Sequence, residues 1–192
     1  IHCYDTTEYG ASGQNWAVLQ DRGGVMYFGN DAGLLVFDGR HWTLIEMPNK
    51  SMVRSLAQDA RGVVYVGANA EVGYLAADSS GALGYHSLLD RIPPEDRGFN
   101  DAWSCVATDS GAYFLTEEMI LWWHDGTMDV RREPGVDFGC GAFGRVFCGG
   151  RDGALREIRD GVLTPPLPGT EVLRANGGGS LLIAPFASDT LL

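Results

Sequence analysis

The sequence repeats a short pattern in which an aspartate, a glycine, an aromatic residue and a second glycine follow one another at fixed intervals. Every position of the second copy lies 38 residues after its counterpart in the first: Asp21, Gly24, Tyr27 and Gly29, then Asp59, Gly62, Tyr65 and Gly67. The later copies are less complete: Asp109, Gly111 and Tyr113, then Gly144, Phe147, Gly149 and Gly153, and a beginning at Gly179 and Leu182. Internal repeats of this length indicate one small unit stacked many times.

Each copy predicts four short strands. In the first copy they cover 15–19, 25–29, 34–37 and 41–45. The Asp-x-x-Gly segment predicts the first turn, because the aspartate accepts hydrogen bonds from nearby amides and glycine adopts positive φ without strain. Asp-Gly pairs predict later hairpin turns at Asp38-Gly39, Asp125-Gly126 and Asp160-Gly161. No segment keeps a helical apolar period over ten residues, and 87–91 predicts only a short turn.

One four-stranded sheet of this size is too small to be stable alone, so its faces need neighbouring sheets. Radial stacking of such sheets gives a β-propeller. We therefore predict an all-β fold over 1–192, an incomplete propeller arc of about four antiparallel blades and the start of a fifth. The predicted blades cover 15–50, 51–92, 99–134 and 136–168, and the next begins within 171–192. A closed four-blade ring is the alternative, and the fifth beginning argues against it.

Charge and hydropathy exclude two partners for this segment. Asp and Glu number 25 against 14 Lys and Arg, a formal net charge of −11. Phosphate-binding surfaces need the opposite sign, so no nucleic-acid partner is expected. No apolar run approaches the roughly 20 residues of a membrane helix, so no membrane span is expected. The chain opens with Ile1 rather than Met, and we interpret it as a piece of a longer protein.

The cysteines and histidines predict no cofactor. Cys3, Cys105, Cys140 and Cys148 form no Cys-x-x-Cys pair, and their spacing matches no zinc site. Cys140 and Cys148 flank a predicted hairpin turn at 143–144, where small buried thiols are favoured and a disulfide is the alternative. The histidines fall in different copies of the repeat, which favours structural roles: His2, His41, His86 and His124.

No catalytic residues are predicted. Asp21, Asp59 and Asp109 occur once per copy at the same turn, whereas glycosidases need two carboxylates within about 5–10 Å. A turn-forming role is therefore favoured for all three. The glycine-rich stretches lack the Gly-Lys-Ser/Thr ending of a phosphate loop, and no Gly-x-Ser-x-Gly is present. We predict that the chain is not an enzyme.

Tryptophans and one loop remain as candidate binding elements. Trp122 and Trp123 are neighbours in a predicted strand and would point to opposite faces, which favours packing between blades. The alternative is an aromatic platform for a sugar ring, and it applies equally to Trp16, Trp42 and Trp103. The longest connection between copies, 88–101, is interpreted as a polar connection, with a ligand or dimer contact as the alternative.

The repeat resembles a known family. DRGGVMYFGNDAGLLVFDG at 21–39 and DARGVVYVGANAEVGYL at 59–75 are similar to the two-component regulator propeller repeat. That pattern is Asp-x-x-Gly, an aromatic residue and Gly, then Gly-Leu and an aromatic residue before Asp-Gly. The resemblance covers 15 to about 164 and is clearest in the first two copies. The sequence departs from it by carrying Tyr or Phe where the family often has Trp, and the third copy has Thr116 near the place of the second glycine.

The resemblance implies a function. Propellers of this family form the extracytoplasmic sensor half of bacterial signalling proteins, before a Tyr-rich β-sandwich, a membrane helix and an output domain. It therefore implies a periplasmic or extracytoplasmic ligand sensor for a small molecule or carbohydrate, with homodimer contact through the propeller. The family offers no fixed set of binding residues to transfer. The alternatives are a propeller-fold lyase or glycosidase and a protein-interaction scaffold, although the Gly-His and Trp-Asp signatures of WD repeats are missing.

Overall fold

The computed structural model describes residues 2–136, 138–150 and 152–169, together with the backbone of 185–187 and 190–191. In these residues the fold is all-β, as predicted. Helical structure in the described ranges is one turn of α-helix, α1 (Thr6–Tyr9), and two 3₁₀ turns, Leu89–Arg91 and Pro94–Asp96.

The described strands form four four-stranded antiparallel sheets, which we call blades one to four in chain order. Blade one contains β1 (Asn15–Gln20), β2 (Met26–Asn30), β3 (Gly33–Phe37) and β4 (Trp42–Ile45). Blade two contains β5 (Val53–Gln58), β6 (Val64–Ala68), β7 (Glu71–Ala77) and β8 (Leu83–Ser87). Blade three contains β9 (Ala102–Thr108), β10 (Gly111–Thr116), β11 (Met119–His124) and β12 (Thr127–Arg132). Blade four contains β13 (Gly139–Ala142), β14 (Arg145–Gly149), β15 (Leu155–Arg159) and β16 (Val162–Leu163).

Strands lie side by side in chain order in every blade, so each blade is a meander. A further pair, β17 (Pro185–Ala187) and β18 (Thr190–Leu191), follows blade four. The predicted start of the fifth repeat, at Gly179 and Leu182, lies outside the described residues.

The repeated aspartates form the predicted turns in blades one and two. The Asp21 carboxylate accepts hydrogen bonds from the amides of Gly23 (2.8 Å) and Val25 (2.9 Å). The Asp59 carboxylate likewise accepts from the amides of Arg61 and Val63, both at 2.9 Å. Each carboxylate therefore accepts hydrogen bonds from two amides of the turn that have no partner in a neighbouring strand.

Asp109 lies in the predicted turn, but its carboxylate does not accept from the turn amides as those of Asp21 and Asp59 do. Thr108 pairs directly with Gly111 across a two-residue hairpin, because Asp109 precedes Tyr113 by four residues whereas Asp21 precedes Tyr27 by six. The remaining loop is too short for a carboxylate to reach amides two and four residues ahead. Among the described residues no hydrogen bond reaches the Asp109 side chain.

The repeated aromatic residues are buried, and the three tyrosines among them lie between neighbouring blades. Tyr27, Tyr65, Tyr113 and Phe147 are each the second or third residue of their strand and are each buried. Tyr65 packs with Phe114 of blade three at a ring-centroid distance of 6.4 Å. Tyr113 packs with Val146 and Ile158 of blade four. Each tyrosine ring therefore covers the face of its blade that meets the next blade, whereas Phe147 packs with Cys140, Ala142 and Leu155 of its own blade.

The tyrosine hydroxyls explain why this position favours Tyr. Tyr27 donates to Asp21 at 3.1 Å and Tyr65 donates to Asp59 at 3.4 Å, so one aspartate serves both the turn and the ring. Burial, reinforced by the neighbouring Asp21 carboxylate, raises the pKa of Tyr27 to about 12. In blade three, where Asp109 is displaced, the Tyr113 hydroxyl instead accepts from the Gly161 amide of blade four at 3.3 Å.

The second glycine of the repeat allows successive blades to approach closely. A Cβ on Gly29 would lie 2.9 Å from the carbonyl oxygen of Val53, at the start of the first strand of blade two. A Cβ on Gly67 would collide with the Ser55 hydroxyl oxygen and would lie 3.0 Å from both Cβ and the carbonyl oxygen of Ala102, at the start of the first strand of blade three. Ser55 donates to that same carbonyl at 2.8 Å, which joins the two blades.

We expect Gly67→Ala to lower the free energy of unfolding by about 1–3 kcal/mol, because the added methyl group collides with the Ser55 hydroxyl and overpacks the contact with Ala102. The matched control is Gly84→Ala in β8, where a Cβ would lie 3.9 Å from Ala76 O and meet nothing closer. There we expect a loss of less than about 0.5 kcal/mol. Denaturant unfolding measures both variants, and equal midpoints would contradict the close approach.

Blade four holds a buried carboxylate between two cations. Glu157 is 5% exposed and accepts from Arg145 Nε and Arg159 Nη2, both at 2.8 Å. The bond to Arg145, with a smaller contribution from Arg159, lowers the pKa of Glu157 from 4.5 to about 2. Because the folded pKa is depressed, the carboxylate contributes stability above the ordinary pKa, and this contribution is lost as the pH falls toward 2.

We therefore expect Glu157→Gln to be less stable than the wild type at pH 7, with a gap that narrows between pH 4.5 and pH 2. The control is Glu95→Gln, at an exposed glutamate, for which no such gap is expected. Thermal unfolding across this pH series is the measurement. A gap of the same size at pH 7 and pH 3 would show that the ion pairs do not stabilise the fold.

Candidate functional site

A β-bulge occurs at the same place in the first strand of three blades. In β1, Asn15 and Ala17 pair with the consecutive residues Asn30 and Gly29, which leaves Trp16 as the extra residue. The same register shift makes Arg54 the extra residue of β5 and Trp103 that of β9. Bulges redirect a side chain out of the regular alternation of a strand and are common beside functional sites.

The three bulge residues meet in one row across three blades. The guanidinium carbon of Arg54 lies 3.9 Å from the ring centroid of Trp16 and 4.7 Å from that of Trp103. The two indoles are 6.3 Å apart in an edge-to-face arrangement. Phe138, just before β13, extends the row at 5.9 Å from Trp103. We call Trp16, Arg54, Trp103 and Phe138 the inner-strand row.

Arg54 is held tightly at the centre of this row. Its Nε donates to Asp101 Oδ1 at 2.8 Å, and the two side chains are 10% and 15% exposed. Asn69 donates to the same Asp101 oxygen at 3.2 Å. Arg54 Nη1 is buried without a hydrogen-bond partner among the described residues. Burying an unpaired donor of a cation costs free energy, and the π faces of the two indoles around Arg54 offset part of that cost.

Trp16 combines a fixed orientation with exposure. Its indole Nε1 donates to Asp31 Oδ1 at 2.7 Å, and Arg54 covers one side of the ring. The residue is nevertheless 45% exposed. Ser12 donates weakly to the other Asp31 oxygen at 3.4 Å. The result is a rigid, accessible indole with a carboxylate at its edge, which suits binding of a ligand that has an apolar face and hydrogen-bond donors.

The other tryptophans that were candidates for ligand binding pack within or between blades. Trp122 stacks on Tyr113 at 5.4 Å and faces blade four, whereas Trp123 packs on the opposite face with the residues between blades two and three. Packing between blades, the favoured interpretation, is therefore what the structure has. Trp42 lies in an aromatic cluster with Phe28 and Phe37 on the face of blade one that is turned away from blade two.

Cys140 and Cys148 are free thiols, as are Cys3 and Cys105. Cys140 pairs with Phe147 and Cys148 with Gly139, so the two cysteines point to opposite faces of blade four. The disulfide alternative is therefore wrong, because Cys140 lies opposite Phe147, one residue away from Cys148. Burial raises the pKa of Cys148 to about 12, which keeps it an unreactive thiol at neutral pH.

The four histidines do not converge. His2 contacts Glu8, His41 contacts Asp38, and His124 contacts Asp129 at 3.1 Å, each within its own segment. His86 stacks on Tyr74. In the part of the chain that the structure describes, no three His, Cys, Asp or Glu side chains are placed to hold a metal ion.

The 88–101 loop is more than a polar connection. Leu88, Ile92 and Phe99 are buried in the apolar cluster between blades two and three, and Asp101 at its end holds Arg54. The loop therefore fixes the centre of the inner-strand row.

Arg54 is the site residue that sequence reasoning missed. Its position in the repeat was a usable signal, because Arg54 precedes Tyr65 by 11 residues, as Trp16 precedes Tyr27. Trp103 precedes Tyr113 by 10, in the copy that is one residue shorter. Offsets of 11, 11 and 10 residues to the repeated tyrosine place all three at one structural position, whatever their chemistry.

Solved structures with very different sequences share the fold. The extracellular domain of a putative hybrid two-component system from B. thetaiotaomicron is similar with a TM-score of 0.63 at 13% identity, over 93% of this chain and 26% of that one. A catalytically inactive virginiamycin B lyase from Staphylococcus aureus, solved with quinupristin, is similar with a TM-score of 0.60 at 9% identity, over 83% and 58%. A gluconolactonase from Xanthomonas campestris has a TM-score of 0.50 at 15% identity, over 81% and 63%.

These similarities identify the fold as a β-propeller, present here as an open arc. Two structures of the extracellular domain of another putative two- or one-component system from B. thetaiotaomicron are also similar, which confirms at the level of the fold the resemblance predicted from the repeat. The chain spans about a quarter of the first extracellular domain and less than two thirds of either enzyme. No family model matches the sequence, and no curated protein matches it significantly. None of the helices in the described ranges has the length and hydropathy to cross a membrane.

We expect Asp101→Asn to lower the free energy of unfolding by about 3 kcal/mol, because it leaves Arg54 buried without a counter-ion. The matched control is Asp90→Asn, which removes a carboxylate that is 98% exposed and paired with Arg97 at 3.5 Å. Exposed pairs contribute little, so that variant should change stability by less than about 1 kcal/mol. Chemical denaturation of both variants measures these changes. Equal losses of unfolding free energy would contradict a buried ion pair between Arg54 and Asp101.

Proposed function

We propose that this chain is a ligand-sensing propeller segment of a bacterial signal-transduction protein of the two-component type, located outside the cytoplasm and not catalytic by itself. Its fold, shared with the extracellular domains of putative hybrid two-component systems, supports this role. The inner-strand row is its binding platform, and a small molecule or carbohydrate is its ligand.

The observation that carries the proposal is that the Trp16 ring is both exposed and fixed in its orientation. A large apolar side chain that is 45% exposed normally costs free energy in water. Here the ring is also held rigid by Asp31 and Arg54, so a ligand can stack on it without ordering it first. Pre-organised aromatic anchors of this kind dominate binding energy at recognition sites.

A catalytic propeller is the second candidate, because a lyase and a gluconolactonase share the fold. The chemistry of the row favours binding over catalysis. The Asp31 carboxylate already accepts from the Trp16 indole, and the Asp101 carboxylate accepts from Arg54 and Asn69, so both carboxylates hold the side chains of the row in place.

Signal transmission then follows as a population shift. A ligand that binds one arrangement of the propeller more tightly than another changes their ratio only by that difference in affinity. Contact between two propeller copies in a homodimer is the arrangement we propose for the full-length protein.

The test is isothermal titration of this chain with the oligosaccharides that bind it on a glycan array, followed by product analysis. We expect binding without product. Trp16→Ala should weaken the affinity by about thirtyfold or more, whereas Val18→Ala, an exposed apolar residue two positions along the same strand, should leave it unchanged. Turnover of a bound glycan would establish the catalytic alternative. Equal affinities of the two variants would show that Trp16 does not bind the ligand.

A further inference from the structure

We infer that the chain has a second binding site, which lies at the opposite end of the blades from the inner-strand row and takes a free α-amino acid. In this site Asp109 binds the ammonium group of the ligand and Arg61 binds its carboxylate. The inference goes beyond the proposed function, because it concerns other residues and another ligand.

The site is a cavity of about 270 Å³ between blades two and three. Its wall combines the turn after β5, the two-residue hairpin after β9 and the turn after β11, and we call it the turn cavity. Trp103 of the row lies near the start of β9 and Thr108 at its end, so about 16 Å of strand separates the two sites at roughly 3.3 Å per residue. Pockets for drug-sized molecules measure about 300–1,000 Å³, so the turn cavity suits a smaller molecule.

Asp109 is available to a ligand because the fold does not use its carboxylate. The carboxylates of Asp21 and Asp59, at the same place in the first two copies of the repeat, each accept from two turn amides and a tyrosine hydroxyl. Among the described residues no hydrogen bond or ion pair reaches the Asp109 side chain, which is exposed and borders the turn cavity. An exposed carboxylate with free acceptor sites is a strong partner for an ammonium group.

Asp125 adds a second negative charge to the turn cavity. Its side chain is 95% exposed and contacts the ring of His124 at 3.6 Å. His124 in turn contacts Asp129 at 3.1 Å and stacks on Trp122 at a centroid distance of 3.7 Å, so it is held in the wall. The two carboxylates of the cavity, together with the net charge of −11, attract a ligand that carries a positive charge.

Arg61 supplies a cation on the blade-two side of the turn cavity. Its Nε and Nη2 both lie 3.0 Å from Asp59 Oδ2, yet its side chain is 72% exposed, whereas that of Asp59 is 2% exposed. A guanidinium has five N–H donors in a planar fork, so this pair leaves donors that a ligand carboxylate can reach from solvent. A ligand with both charges therefore fits the cavity, and an α-amino acid carries both on one carbon atom.

Tyr65 and Trp123 form the apolar part of the wall. Both are fixed by the apolar cluster between blades two and three, in which Tyr65 is buried and against which Trp123 packs. Aromatic rings pack with C–H groups of a ligand and attract a cation through their π faces. We therefore expect amino acids with apolar or basic side chains to bind more tightly than acidic ones, which Asp109 and Asp125 repel.

The first measurement is a thermal-shift screen of the common L-amino acids at millimolar concentration and physiological ionic strength, because a ligand that binds the folded state raises the unfolding temperature. Titration calorimetry then compares the tightest amino acid with its N-acetyl and amide derivatives. We expect a loss of at least about tenfold for the N-acetyl derivative, which has no ammonium group. For the amide we expect a loss of about threefold, since ion pairs with an exposed arginine contribute less.

Asp109→Asn tests the ammonium contact. It should weaken amino-acid binding by at least about tenfold. The denaturation midpoint should not change, because no other described group binds this carboxylate. The matched control is Asp90→Asn, which removes another exposed carboxylate and should leave the affinity unchanged.

Arg61→Gln tests the carboxylate contact. In this variant the amide derivative should bind as tightly as the parent amino acid, because the cation that distinguishes them is gone. Asp59 keeps its hydrogen bonds from two turn amides and from the Tyr65 hydroxyl, so the turn retains its partners.

The outcomes separate this site from its ligand and from the inner-strand row. If no amino acid stabilises the chain, or if Asp109→Asn binds as tightly as the wild type, the second site is overturned. If the amide binds the wild type as tightly as its parent, or more tightly, the ligand class is overturned in favour of a simple amine. Trp16→Ala should leave the amino-acid affinity unchanged, and a loss there would place the amino acid on the row instead.

Discussion

Every sheet in this chain depends on its neighbours, because each is too small to bury its own apolar faces. The three largest apolar clusters each draw residues from two adjacent blades, and Leu34 and Phe114 are wholly buried between sheets. An isolated four-stranded meander would expose those residues to water, at a cost of about 1.5–3 kcal/mol for each large side chain. Stacking is therefore the condition for the fold, and the short turns make it possible by keeping each meander compact.

Close stacking also explains the binding platform. The second glycine of the repeat brings the second strand of one blade against the first strand of the next, as at Gly67 and Ala102. The bulges of the first strands lie beside these contacts and direct Trp16, Arg54 and Trp103 to one surface. Residues that are 38 and 49 positions apart in the sequence therefore touch, and Arg54 joins two indoles that would otherwise be separate.

Local chemistry was readable from the sequence. Asp21 and Asp59 form the turns that Asp-x-x-Gly predicts, because the carboxylate and its amides lie within four residues. The strands follow for the same reason, since alternating apolar residues between turns have few other conformations. The aromatic position of the repeat was also sufficient to place Tyr27, Tyr65 and Tyr113 between blades.

Register and long-range contacts were not readable. A shift of one residue puts Cys140 and Cys148 on opposite faces, and the two-residue hairpin of blade three leaves the Asp109 carboxylate without the amides that Asp21 and Asp59 bind. The role of Arg54 depends on rings from two other blades and on Asp101 from a loop. Such contacts exist only after the blades stack, so no local pattern of residues encodes them.

The most direct test of the account is a double-mutant cycle between Trp16 and Arg54, which belong to different blades and meet only if the bulges align. Trp16→Ala, Arg54→Met and the double variant would be compared with the wild type by equilibrium denaturation. A coupling free energy of about 1 kcal/mol or more is expected for a largely desolvated cation over an indole. A coupling of zero would mean that the two side chains do not touch, and that the inner-strand row does not exist.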